Sequence, residues 1–122
     1  MQVDQVSRVA IAAIDADSEI VGVARYGRLP GDPSTAEIAV VVQDSLQGNG
    51  LGTRLLTEIG EKATAAGVRR LVATVLADNR ASLALLRRVF PQLAAVRTGS
   101  QYDIVIDLPP SSPRADKVAA SR

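Results

Sequence analysis

Three of the five positions from Gly48 to Gly52 are glycine, in the stretch QGNGLG that separates a β-branched run, AEIAVVV (36–42), from a segment of helical period. A chain that passes from strand to helix through such a turn is committed to an α/β architecture, because the apolar spacing changes there from that of a buried strand to that of a helix. Beyond the turn, Leu51, Leu55, Leu56, Ile59 and Ala63 fall on one helical stripe, and Gly67 is placed to close a helix over 51–66. The turn also has a chemical consequence. It gathers backbone N–H groups and the positive end of a helix dipole at one exposed point, which is an anion site. Glycine suits a backbone that an anion must approach closely, since a Cβ would block the approach or exclude the φ it requires. A plain tight turn capping a helix would use the same residues.

Upstream, RVAIAAI (8–14) and IVGVARYGRL (20–29) flank the turn residues DADSE and read as an antiparallel hairpin, with PGDPST (30–35) as a loop before the third strand. Downstream, RRLVATVLA (69–77) returns to strand. NRASLALLRRV is a second helix, capped by Asp78 or Asn79, with Arg87 and Arg88 near its C-terminal end and Pro91 stopping it. LAAVRT and QYDIVIDL form a closing hairpin around Gly99 and Ser100. The order β-β-β-α-β-α-β-β predicts one domain over 1–108, an α/β fold with a mixed central sheet and two main helices. The remainder, PPSSPRADKVAASR (109–122), has the composition of a disordered tail.

Composition narrows the chemistry. Cysteine and histidine are both absent, which removes disulfides, thiol nucleophiles, the usual zinc sites and every His-based triad. No metal is expected, and any reaction must use carboxylates, hydroxyls, amides or backbone. With 14 basic and 13 acidic residues the net charge is +1, which gives no reason to expect a nucleic-acid or membrane-surface partner. No apolar run approaches the roughly 20 residues needed to cross a bilayer, so a cytoplasmic protein is the expectation. Among the carboxylates, Glu37 stands out because the residues after it are apolar for several positions. A charge beside a buried strand is costly unless it has a use or a partner.

Two phosphate loops fail on spacing: Gly52 is followed by Thr53 and Arg54 rather than by a lysine, and G-x-G-x-x-G is incomplete. The pattern Q-x-x-G-x-G does fit, as Gln47, Gly48, Asn49, Gly50, Leu51 and Gly52, with Glu37 ahead of it and Asn79 opening the second helix. With these three signals in order, the chain resembles the Gcn5-related N-acetyltransferase (GNAT) family. Within that family, residues 36–88 look most like the acetyltransferase domain of bacterial Pat-type protein-lysine acetyltransferases.

The resemblance implies that the Gln47–Gly52 turn cradles the pyrophosphate of acetyl-CoA. It also implies that the strand of Val40, Val41 and Val42 splays from its neighbour, so that free backbone groups can hold the pantetheine arm and stabilise an oxyanion. Three valines in a row also read as buried sheet. Asn79 serves as helix N-cap, donor contact or both. Thr53 offers the phosphate a hydroxyl or caps the helix, and Arg88 reaches a CoA phosphate or serves its own helix terminus. Glu37 becomes the general base, because an amine must be neutral to attack, and partial burial would raise its pKa toward neutrality.

The implied function is transfer of an acetyl group from acetyl-CoA to an amine, a protein lysine or a small molecule. The alternative is an acyl-CoA-binding module without turnover. Two departures favour that alternative: Leu86 stands where many members carry a tyrosine acid, and the first strand and two helices of the family fold have no counterpart. A further departure is that Phe90 and Pro91 replace a usual Gly-Phe. The truncated fold implies a second copy or a partner over the surface those elements would cover.

Overall fold

The computed structural model describes residues 7–43 and 50–110. In chain order these form β1 (Arg8–Ile14), β2 (Ile20–Leu29), β3 (Asp32–Val42), α1 (Leu51–Ala65), β4 (Arg70–Leu76), α2 (Arg80–Val89), β5 (Ala94–Thr98) and β6 (Gln101–Asp107). The six strands make one mixed sheet in the order β1-β2-β3-β4-β6-β5. Only β3 and β4 run parallel, and α1 provides the crossover between them. The expected α/β order is present, and the tail from residue 111 and the turn residues 44–49 lie outside the described residues.

The β1–β2 turn is held by the Asp15 carboxylate, which accepts from the backbone N–H of Asp17 at 2.9 Å and of Glu19 at 3.0 Å. The second turn corrects the sequence reading. Residues 30–35 are not a loop, because β3 begins at Asp32, directly after Gly31 with φ 79°. Leu29 pairs with Asp32 but Arg28 already pairs with Ala36, so Pro33, Ser34 and Thr35 bulge out of register. A bulge is where a strand tolerates proline, whose missing N–H would break a regular ladder. Hydrogen bonds from the Thr35 and Ser34 side chains hold the Asp32 carboxyl below the usual carboxylate range.

Alternation sorts the sheet into two faces. Ala24, Tyr26, Ala36, Ile38, Leu71, Ile104 and Ile106 are buried under the helices, where they meet Leu55, Leu56, Ile59 and Ala63 of α1. With so few aromatics in the chain, aliphatic residues fill most of this core. Phe90, in the VFPQL segment that departs from the family pattern, is 6% exposed and packs its ring against Gly60, where an added Cβ would stand 3.0 Å from the ring. The opposite face has no helix over it among the described residues. Its strands present Arg25, Glu37, Val41, Thr74, Leu76 and Val96 to solvent, with Val41 69% and Leu76 59% exposed.

Candidate functional site

The pairing of β3 with β4 lasts three residues. Thr35, Ala36 and Glu37 match Arg70, Leu71 and Val72, yet β3 runs on to Val42 and β4 to Leu76. Beyond Glu37 and Val72 the two parallel strands part, and among the described residues no ladder pair joins them across the gap. On the helix face this opening leads into a cleft of about 340 Å³. Val40 and Val42 contribute its sheet wall, and Gly50, Gly52 and Thr53 the first turn of α1. From α2 come Asn79, Ala81, Ser82, Ala84, Leu85 and Arg88.

The α1 terminus has the properties of an anion site. Gly50 is its N-cap in the left-handed region, φ 90°, a residue with no side chain to cap the helix. A glycine at this position supplies no side-chain acceptor of its own to the first-turn N–H groups. The first turn carries no acidic residue to oppose an anion. Arg88 adds a cation to the same cleft from α2. These are groups that fit the phosphates of a nucleotide-bearing acyl carrier, and the parted strand edges fit the amides of an extended arm.

Val40, Val42, Gly50, Gly52, Thr53, Asn79 and Arg88 line the one cleft. Val41 does not, because alternation turns it to the opposite face. Leu51 packs against the hydrophobic core instead. Gln47, Gly48 and Asn49 lie outside the described residues. Asn79 is the N-cap of α2, its side-chain oxygen accepting from the Ser82 N–H at 3.1 Å, and it also borders the cleft. Gly52 needs no unusual φ; a Cβ there would stand 2.9 Å from Leu85 Cδ2, so this glycine lets α2 approach α1. Leu86 is 5% exposed and belongs to the core.

Sequence reasoning missed the α2 contribution of Ala81, Ser82, Ala84 and Leu85. The signal was present: residues 81, 84, 85 and 88 share one helical stripe, and the small side chains on it leave room.

Glu37 corrects an expectation. It is not partly buried but exposed, and it points away from the helices onto the bare face, at the point where β3 and β4 part. Gly27 is its neighbour on β2. Among the described residues its carboxylate has no hydrogen bond or ion pair; the ion pair found joins Arg70 and Asp107 at 2.9 Å. The same gap between strands therefore opens to the cleft on one side and to this carboxylate on the other.

The model of the acetyltransferase (GNAT) family matches residues 3–90. The L-methionine sulfoximine/L-methionine sulfone acetyltransferase of Pseudomonas aeruginosa is 39% identical over 82 residues, 65% of this chain and 48% of that protein. The acetyltransferase Pat of Mycolicibacterium smegmatis is 33% identical over 94 residues, 75% of this chain and 27% of that protein. Among solved structures, the GNAT domain of S. lividans PAT is 30% identical with a TM-score of 0.75, over 88% of this chain and 64% of that one. The chain thus spans about half the length, or less, of the curated relatives named.

Proposed function

The chain belongs to the acetyltransferase (GNAT) family, and on that premise we propose that it transfers the acetyl group of acetyl-CoA to the nitrogen of an amine. The observation that carries this reading is the three-residue β3–β4 pairing, which opens the sheet between an anion-suited cleft and the Glu37 carboxylate. The diphosphate of acetyl-CoA lies at the Gly50 end of α1 with Arg88 nearby. Its pantetheine arm lies along the β3 edge at the parting of the strands, and the thioester reaches the gap.

The amine approaches from the bare face. Glu37, directly or through a water, takes a proton from the ammonium, the neutral nitrogen attacks the thioester carbonyl, and the second proton lost from nitrogen passes to water as the adduct collapses. Charge that develops on the carbonyl oxygen meets backbone N–H groups of the β3 edge. The C–N bond forms, the C–S bond breaks and CoA leaves as thiolate. With Leu86 in the core, no tyrosine at that position supplies a proton to the sulfur. A thiol of pKa about 8.5 departs as thiolate without one.

Two acceptor classes have support. The likeness to Pat domains supports a protein lysine; the likeness to an enzyme of methionine sulfoximine and sulfone supports a small amine. Steady-state CoA release, with mass-spectrometric detection of product, across amino acids, polyamines and lysine peptides tests the reading. Acetylated product with at least one acceptor class is expected. Tight acetyl-CoA binding with no product from any class would instead mark an acyl-CoA-binding module.

A further inference from the structure

On the bare face, one square of the sheet carries two opposite charges on one diagonal and almost no side chain on the other. Arg25 of β2 pairs in register with Ala39 of β3, and Gly27 of β2 with Glu37 of β3. Arg25 and Glu37 are therefore diagonal neighbours, with Cα atoms roughly 7–8 Å apart by antiparallel geometry. Both are exposed. Opposite charges at that separation commonly pair, yet among the described residues neither makes an ion pair or hydrogen bond. Of the neighbouring cations, Arg70 is bound to Asp107 and Arg28 donates to the Ala66 carbonyl at 2.8 Å, while Arg8 of β1, two strands from Glu37, shares the bare face and lays its stem over Gly27, Cγ 3.7 Å from the Cβ position there.

We infer that Arg25 holds the carboxylate of the acceptor, and that the acceptor is a free α-amino acid whose amine faces Glu37. This inference rests on the acetyl-transfer reading above. An α-amino acid hangs its amine and carboxylate on a single carbon, so one molecule can meet both charges at once above Ala39, beside the Arg8 stem that lies over Gly27. The planar guanidinium fork suits a carboxylate bidentately. Further along β3 on the same face stands Val41, an exposed apolar surface on which an amino-acid side chain can lie. A lysine within a protein has no carboxylate beside its ε-amine and leaves Arg25 unmatched. Arg25 is thus a specificity-determining residue for the acceptor.

The test compares methionine with its decarboxylated amine on the wild-type chain, Arg25→Gln and Arg25→Lys. Wild type should favour methionine in kcat/KM. Arg25→Gln should shrink that preference roughly 10- to 100-fold, chiefly through the KM for methionine, as the loss of a charge-assisted pair implies. Arg25→Lys should retain part of it. A merely structural role for Arg25 would lower both substrates together and leave the ratio unmoved, which would overturn the inference. Should no amine turn over, the acetyl-transfer reading fails separately, and calorimetric titration of methionine into the CoA-saturated protein decides on Arg25. Binding weakened by Arg25→Gln sustains the inference. Equal binding by the two proteins, or none by either, overturns it.

Discussion

At Gly52 an added Cβ would stand 2.9 Å from Leu85 Cδ2, whereas at Gly50 it would meet nothing within 4 Å, yet only Gly50 has a left-handed φ, of 90°. Two glycines of one turn thus answer to different demands, helix packing at one and backbone conformation at the other. Substituting each should separate them. Gly50→Val forces a β-branched residue into the left-handed region at a cost of about 1–3 kcal/mol, which should lower the melting temperature by roughly 4–8 °C per kcal/mol. Gly52→Ala gains up to about 1 kcal/mol of helix propensity but must push aside the end of Leu85, a flexible group on the cleft wall. Its melting temperature should therefore stay within a few degrees of wild type while calorimetry reads weaker acetyl-CoA binding. A Gly52→Ala protein that binds acetyl-CoA as wild type does would mean that the cleft is not the donor site.

The second helix shows an element serving stability and site together. Asn79 caps α2 through Ser82, and the same helix presents Ala81, Ala84, Leu85 and Arg88 to the cleft. Asn79→Ala should cost about 0.5–2 kcal/mol of stability by thermal melting, with Asn79→Asp recovering most of it; equal stability of all three proteins would deny the cap. Helices were legible beforehand because caps, Pro91 and the apolar stripe are local signals. Strand cores were legible for the same reason, through their β-branched runs. The start of β3 was not, since the bulge at Pro33, Ser34 and Thr35 is set by register with β2 rather than by residue preference. Nor was the exposure of Glu37. Apolar neighbours along a strand bury only alternate positions, and the cover on the second face is a tertiary matter. Arg25 escaped for that reason as well: its relation to Glu37 is a diagonal across two strands, invisible in linear spacing.

At the scale of the molecule, the sheet is the partition. Both helices pack on one face, and the cleft and α1 terminus that suit a phosphate-bearing donor lie on that side. The unpaired carboxylate Glu37 and the cation Arg25 stand on the other, and the parting of β3 from β4 is the passage between them. On the proposed function, donor and acceptor enter from opposite faces and react in the gap, so removing the base should slow transfer without loosening the donor. The decisive measurement is the rate of acetyl transfer by Glu37→Gln against wild type with the best acceptor, alongside acetyl-CoA affinity by calorimetry. A kcat lower by about 10²- to 10⁴-fold, the range for a positioned general base, is expected, with affinity for acetyl-CoA nearly unchanged. A Glu37→Gln protein that keeps the wild-type rate would contradict that role.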